Sequence, residues 1–223
     1  MTPGGWRREV VIGLGAYAAY LGARRVACTD AGQSRATRNA GRLLRWEQRH
    51  HLAIERDVQR GALRAPPPVV DVLNAAYAIG NVGLTLGWLV WLYRRGDSAY
   101  GRERRAAVLA FLGALPLFAV VPMAPPRKLG GFVDTLAARG VSPERPALTR
   151  FYDPVAAMPS LHLAFAVVSG AGLAGRARGP WRRRAWLAYP GAVAIVVVAI
   201  GNHFVADVGA GAALGAAARV ITR

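Results

Sequence analysis

Residues 185–218 hold only three strongly polar side chains, Asn202, His203 and Asp207. As a single α-helix rising about 1.5 Å per residue this stretch would run to roughly 51 Å, well beyond a hydrocarbon core of about 30 Å. The chain must therefore turn inside it, and Gly201-Asn202-His203 is where the turn falls. His203 then opens the next helix, near a membrane surface.

The rest of the chain follows the same pattern. Hydrophobic residues make up 53% of the 223 and charged residues only 18%, a balance unlike that of a soluble domain. Apolar runs cover Val10–Ala23, Val69–Tyr93, Ala106–Met123, Val155–Ala174, Ala185–Gly201 and Phe204–Ala218. The expectation is an all-α polytopic protein, one membrane domain over residues 1–223 with six spanning helices. Val10–Ala23 follows Arg7-Arg8 as a secretory signal would, but no small-residue cleavage site comes after it, so it counts as a span.

Arginines gather in short clusters between these runs, so the net charge of +17 speaks for membrane flanks rather than for nucleic acid. They are densest at residues 94–105, at 176–184 and at the termini. That side is expected to face the cytoplasm of a cell membrane, with residues 24–68, 124–157 and 201–203 outside. Cys28 stands alone, which excludes an intrachain disulfide, and is expected to be inert.

Residues 31–64 form a separate unit in which Ala36, Ala40, Leu43, Leu44, Leu52 and Ile54 recur among arginines. The spacing predicts an interrupted amphipathic helix, either lying on the outer membrane surface or solvated as a linker. His50 and His51 lie on it among arginines, where a solvated or headgroup-level role is expected. The prolines at 66–68 end it and start the second span.

Three short motifs carry polar chemistry, and the order of crossings puts all three on one face. They are Ala124-Pro-Pro-Arg-Lys128, Pro159-Ser-Leu-His162 and His203-Phe-Val-Ala-Asp207, within a core expected at 105–220. Pro159 suits a first helical turn, which leaves the amides of Ser160, Leu161 and His162 at the positive end of the helix dipole, where an anion binds. Arg127 can grip phosphate oxygens with two hydrogen bonds, with Lys128 as a nearby point charge. Asp207, four residues after His203, can hold one ring proton and leave the other ring nitrogen nucleophilic. His162, from a different helix, can protonate a leaving oxygen. A zinc site built on His162, His203 and Asp207 is the alternative, although it gives no role to Ser160 or Arg127.

Together these motifs resemble those of the type-2 phosphatidic acid phosphatase superfamily, membrane enzymes related in fold to vanadium haloperoxidases. The resemblance covers about residues 120–215, and APPRKLGGFVDT, YDPVAAMPSLH and GNHFVADVGAG are most similar to the branch that includes inositol phosphorylceramide synthases. It implies a phosphohistidine on His203 oriented by Asp207, His162 as general acid, and Ser160 and Arg127 on the phosphoryl group, with no cofactor. The substrate would be a lipid phosphate, and the acceptor either water or an alcohol such as inositol. Three positions depart from the family pattern: Val120 and Val197 stand where cations are usual, and Leu161 where glycine is. Lys128 and Arg150 are the candidates to replace the missing charge. A lipid-headgroup binder or transport component without turnover is the competing reading.

Among the remaining polar residues, Asn74, Tyr77 and Asn81 form one stripe facing either the bundle or the substrate. Asp134 and Asp153 flank the motifs, as turn formers or as substrate contacts. The pairs Gly83/Gly87 and Gly211/Gly215 have the spacing that lets helices pack closely.

Overall fold

A computed structural model describes residues 5–140 and 153–223. Among them each apolar run contributes most of its residues to helix and no strand forms. α1 spans Gly5–Ala27, α2 Asp30–Arg49 and α3 Glu55–Leu63. α4 (Pro67–Ala75) runs through a π-helical turn, Ala76–Gly80, into α5 (Asn81–Arg94). Then come α6 (Tyr100–Val120), α7 (Leu161–Ala174), α8 (Pro180–Ala199) and α9 (Val205–Ile221). By length and hydropathy, Pro67–Arg94 is the one helix among the described residues fit to cross a bilayer; α7 is apolar but shorter. α1, α6 and α8 each extend past their apolar stretch into arginine-bearing turns.

α7 is the centre, packed against α5, α6, α8 and α9. α9 packs closely on it because of its glycines: a Cβ on Gly211 would stand 2.2 Å from the Ser160 carbonyl oxygen, and one on Gly215 2.6 Å from that of Ala164. Gly83 and Gly87 do not pack this way. Nothing lies within 4 Å of a Cβ at either, and both line an open cleft with Arg95 and Arg176. At the end of the bundle away from the three motifs, buried Glu103 of α6 accepts a 2.6 Å bond from Arg219 of α9.

Two helix starts differ from the sequence reading. α7 begins at Leu161 rather than Val155, because residues before it pair instead with the chain just after α6. Met123 N–H donates to the Val155 carbonyl (2.7 Å) and Ala157 N–H to that of Met123 (3.0 Å). Pro159 therefore precedes the helix, and Ser160 is its N-cap, accepting from Leu163 N–H at 3.4 Å. α9 begins at Val205, so His203 lies in the turn before it. That turn needs Gly201, whose φ is 72° and whose added Cβ would meet Gln59 Nε2 at 2.6 Å.

The unit over residues 31–64 is two helices broken near His51, which has a φ of 57°. The stripe Ala36, Ala40 and Leu44 packs on Met123, Ala124, Val155, Ala157 and Phe204. This inward face of α2 thus lies on protein, across the loops that carry the three motifs. Phe204, fully buried in that cluster, contributes about 1.5–3 kcal/mol by its burial.

Candidate active site

Three segments meet at one end of α7. The 3₁₀ turn Pro126–Lys128 is held to the α8–α9 turn by Arg127 N–H, which donates to the Gly201 carbonyl at 2.9 Å. Ser160 N–H donates to the Asp207 carbonyl at 3.0 Å, joining the start of α7 to the first turn of α9. The motifs are thus fixed to one another by backbone, and their side chains follow.

His162 and His203 face each other with ring centroids 5.9 Å apart. His203 Nδ1 lies 3.6 Å from Asp207 Oδ2, within ion-pair range and just beyond a hydrogen bond. Asp207 Oδ2 also accepts Phe204 N–H at 2.9 Å, so the carboxylate caps α9 while it faces the imidazole. Burial lowers the His203 pKa to about 4, the Ala157 carbonyl opposes that shift and the Arg127 charge adds to it. At neutral pH the ring is uncharged, with a lone pair to offer.

His162 is fixed on its other side. Its ring stacks on Tyr77 at 4.4 Å, and Nε2 lies 3.2 Å from the Tyr77 carbonyl. A carbonyl only accepts, so Nε2 carries the proton in that contact. The expected polar stripe on Pro67–Arg94 thus faces inward throughout. Asn81 Nδ2 donates to the His162 carbonyl (2.8 Å) and Asn81 Oδ1 accepts from Tyr189 O–H (2.7 Å), while Asn74 and Thr135 bond each other at 2.8 Å.

Arg127 is buried beside His203, its Nε donating to Asn202 Oδ1 and a terminal nitrogen to Asp134 Oδ2, both at 2.7 Å. Asp134 is therefore an orienting partner for the arginine, and its Oδ1 also caps Ala137 N–H. Lys128, in the same 3₁₀ turn, is exposed, and burial followed by the Arg127 charge lowers its pKa. Arg150 lies outside the described residues. Of the amides expected at an anion, that of Ser160 is committed to α9, and Leu161 lines the cavity.

That cavity holds about 150 Å³ and is lined by both histidines, Tyr77, Asp153, Leu161 and Asn202. This is room for several waters or one phosphoryl group. An almost wholly apolar groove of about 450 Å³ meets it at Tyr77 and His162, running along Leu84, Tyr189, Val193 and Val197. Among the described residues no three His, Cys, Asp or Glu side chains converge as metal ligands would.

Three features were not read from the sequence. Cys28, expected to be inert, donates its thiol to Asp153 Oδ1 at 3.2 Å, and burial, then Asp153, raises its pKa to about 12. Asn202 both holds Arg127 and leaves its own buried Nδ2 without a partner at the cavity. Glu47 and Glu55, both fully buried, bond to the first amides of α9. Glu47 had a signal: it continues the inward stripe Ala36, Ala40, Leu44 at helical spacing.

The chain matches no curated protein and no solved structure. The family pattern described as the PAP2 superfamily matches residues 41–221, a span that takes in the second half of α2 from Gly41, α3 to α9 and all three motifs. The match covers most of the chain, which belongs to the PAP2 superfamily.

Proposed function

We propose that the protein is a membrane lipid phosphatase or phosphotransferase that works through a phosphohistidine on His203. The observation that carries this is the convergence of His162 and His203 on one small cavity, with Asp207 behind His203 and Arg127 beside it. The His203 ring nitrogen turned away from Asp207 attacks phosphorus, and the ester P–O bond breaks. The departing oxygen takes its proton from His162, whose imidazolium form the substrate's negative charge favours. Water or an alcohol then attacks the phosphohistidine, giving its proton back to His162 and releasing phosphate or a new phosphoester. Arg127 and the start of α7 carry the charge that develops on the phosphoryl oxygens.

Two features support a lipid substrate. The apolar groove that reaches His162 suits hydrocarbon, while the smaller cavity between the two histidines takes the head. Six helices correspond to the six apolar runs, and in this reading they span a cell membrane with the site on the outer face and both termini inside. The similarity of the motifs to inositol phosphorylceramide synthases favours transfer to an alcohol as one outcome.

The test is a screen of lipid phosphates with and without inositol and other alcohols, followed by mass spectrometry of products and of acid-quenched protein. Consumption of a lipid phosphate with an acid-labile phosphate on the His203 peptide supports the reading. Consumption with no such adduct under single-turnover conditions rejects the phosphohistidine, and binding with no consumption of any donor favours the headgroup binder.

A further inference from the structure

Helix α9 starts with amides that need acceptors. Phe204 N–H finds Asp207 Oδ2, but the next two are met by side chains from the far-off surface unit: Val205 N–H donates to Glu55 Oε1 (2.9 Å) and Ala206 N–H to Glu47 Oε1 (2.8 Å). Both glutamates are fully buried. No arginine or lysine among the described residues forms an ion pair with either.

A neutral acceptor would make the same bonds without the cost of burying charge, so the choice of two carboxyl groups calls for a reason. The unused oxygens supply it. Glu47 Oε2 and Glu55 Oε2 are both buried with no partner, which is costly for two bare carboxylates, since each offers only acceptors. One proton between the pair turns an orphan into a donor for the other and leaves a single negative charge facing the positive end of α9.

We propose that Glu47 and Glu55 act as a one-proton carboxyl pair that positions the first turn of α9, and through it His203 and Asp207 opposite His162. α2 and α3 are then part of the catalytic apparatus rather than a cover over it. The titratable group that faces the pair from α9 is Asp207, with His203 behind it. Burial, opposed by the Ala206 amide and reinforced by Glu55 and Asp207, raises the Glu47 pKa to about 8. Below that pH Glu47 keeps its proton; above it Glu47 becomes a buried charge whose Oε2 has no partner, and the grip on Val205 and Ala206 loosens. The catalytic consequence rests on the reading of His203 as the reacting imidazole, whereas the grip itself does not.

The test uses the purified full-length chain in detergent, with two readouts. The first is hydrogen–deuterium exchange of the segment around residues 203–208 at pH 7 and pH 9, corrected for intrinsic rates. Wild type should lose protection by about tenfold or more at pH 9, as linkage to one proton over about one pH unit requires. Glu47→Gln keeps an acceptor for Ala206 and gives Glu55 a permanent donor, so its protection should hold at both pH values. Glu47→Ala and Glu55→Ala should lose it at both. The second readout is the pH profile of phosphate release from a short-chain phosphatidate, whose alkaline limb should move upward by more than about one unit in Glu47→Gln. Identical pH dependence of protection in wild type and Glu47→Gln, or full protection at pH 7 in Glu47→Ala, overturns the proposal. Absence of turnover in wild type would count against the enzymatic reading and leave the exchange result to decide the pair.

Discussion

The imidazole of His162 stands 5.9 Å, centroid to centroid, from that of His203 and is tilted by 59° to it, although the two come from opposite ends of a helix hairpin. A separation of this size lets one phosphorus be attacked from one ring while its leaving oxygen reaches the other. The arrangement depends on close packing of α9 on α7 at Gly211 and on the backbone bond from Ser160 to Asp207. Each prediction below disturbs one part of it.

Asp207 has two duties that a single pair of variants separates. Asp207→Asn keeps an oxygen for Phe204 N–H and loses the charge facing His203 Nδ1. The expected result is near-normal thermal stability with turnover reduced by about 10²-fold or more, as when a histidine loses its orienting carboxylate. Asp207→Ala also removes the cap and should lower stability by about 1 kcal/mol besides. Comparing melting temperature with kcat in the two variants checks the division.

The depressed pKa of His203 has a sign that can be measured. The ring must be neutral to attack, and it is neutral down to about pH 4. The acid limb of kcat/KM should therefore fall near pH 4 and not near the ordinary histidine value of about 6.5. Folding stability moves the same way. Below about pH 6.5 the unfolded chain binds a proton that the folded chain refuses, so stability present at neutral pH is lost as pH falls toward 4. A pH–rate profile with half-loss near 6.5 would contradict the burial of this ring.

The apolar groove beside His162 predicts a chain-length effect. Ala192 lies at its exposed wall, so Ala192→Trp should obstruct the groove with little disturbance of the core. KM should rise about tenfold for a long-tailed lipid phosphate, the loss of roughly two buried methylenes, while a short-chain substrate keeps its kcat. Equal effects on both substrates would mean that the tail lies elsewhere.

The motif residues were legible because polar side chains in apolar sequence have few reasons to be there: His162, His203, Asp207 and Arg127 all fall around one cavity or directly behind it. Helix positions were legible from the apolar runs, but their starts were not. Hydropathy places Val155 in a helix, whereas its backbone pairs with Met123, a tertiary contact that no local pattern encodes. Glu47 and Glu55 were missed for a similar reason. Their acceptors serve amides of Val205 and Ala206, which only the folded chain brings to them. The glycine spacing was ambiguous in itself: at Gly211 and Gly215 it admits a neighbouring helix, and at Gly83 and Gly87 it opens a cleft.

The central claim is that His203 bears the phosphoryl group and His162 serves the leaving oxygen. Release of inorganic phosphate from a short-chain phosphatidate by the purified protein, compared with His203→Ala and His162→Ala, tests it most directly. Turnover in wild type, loss below detection in His203→Ala and a drop of about 10²–10⁴-fold in His162→Ala are the predicted results. Equal rates in all three proteins would contradict the account.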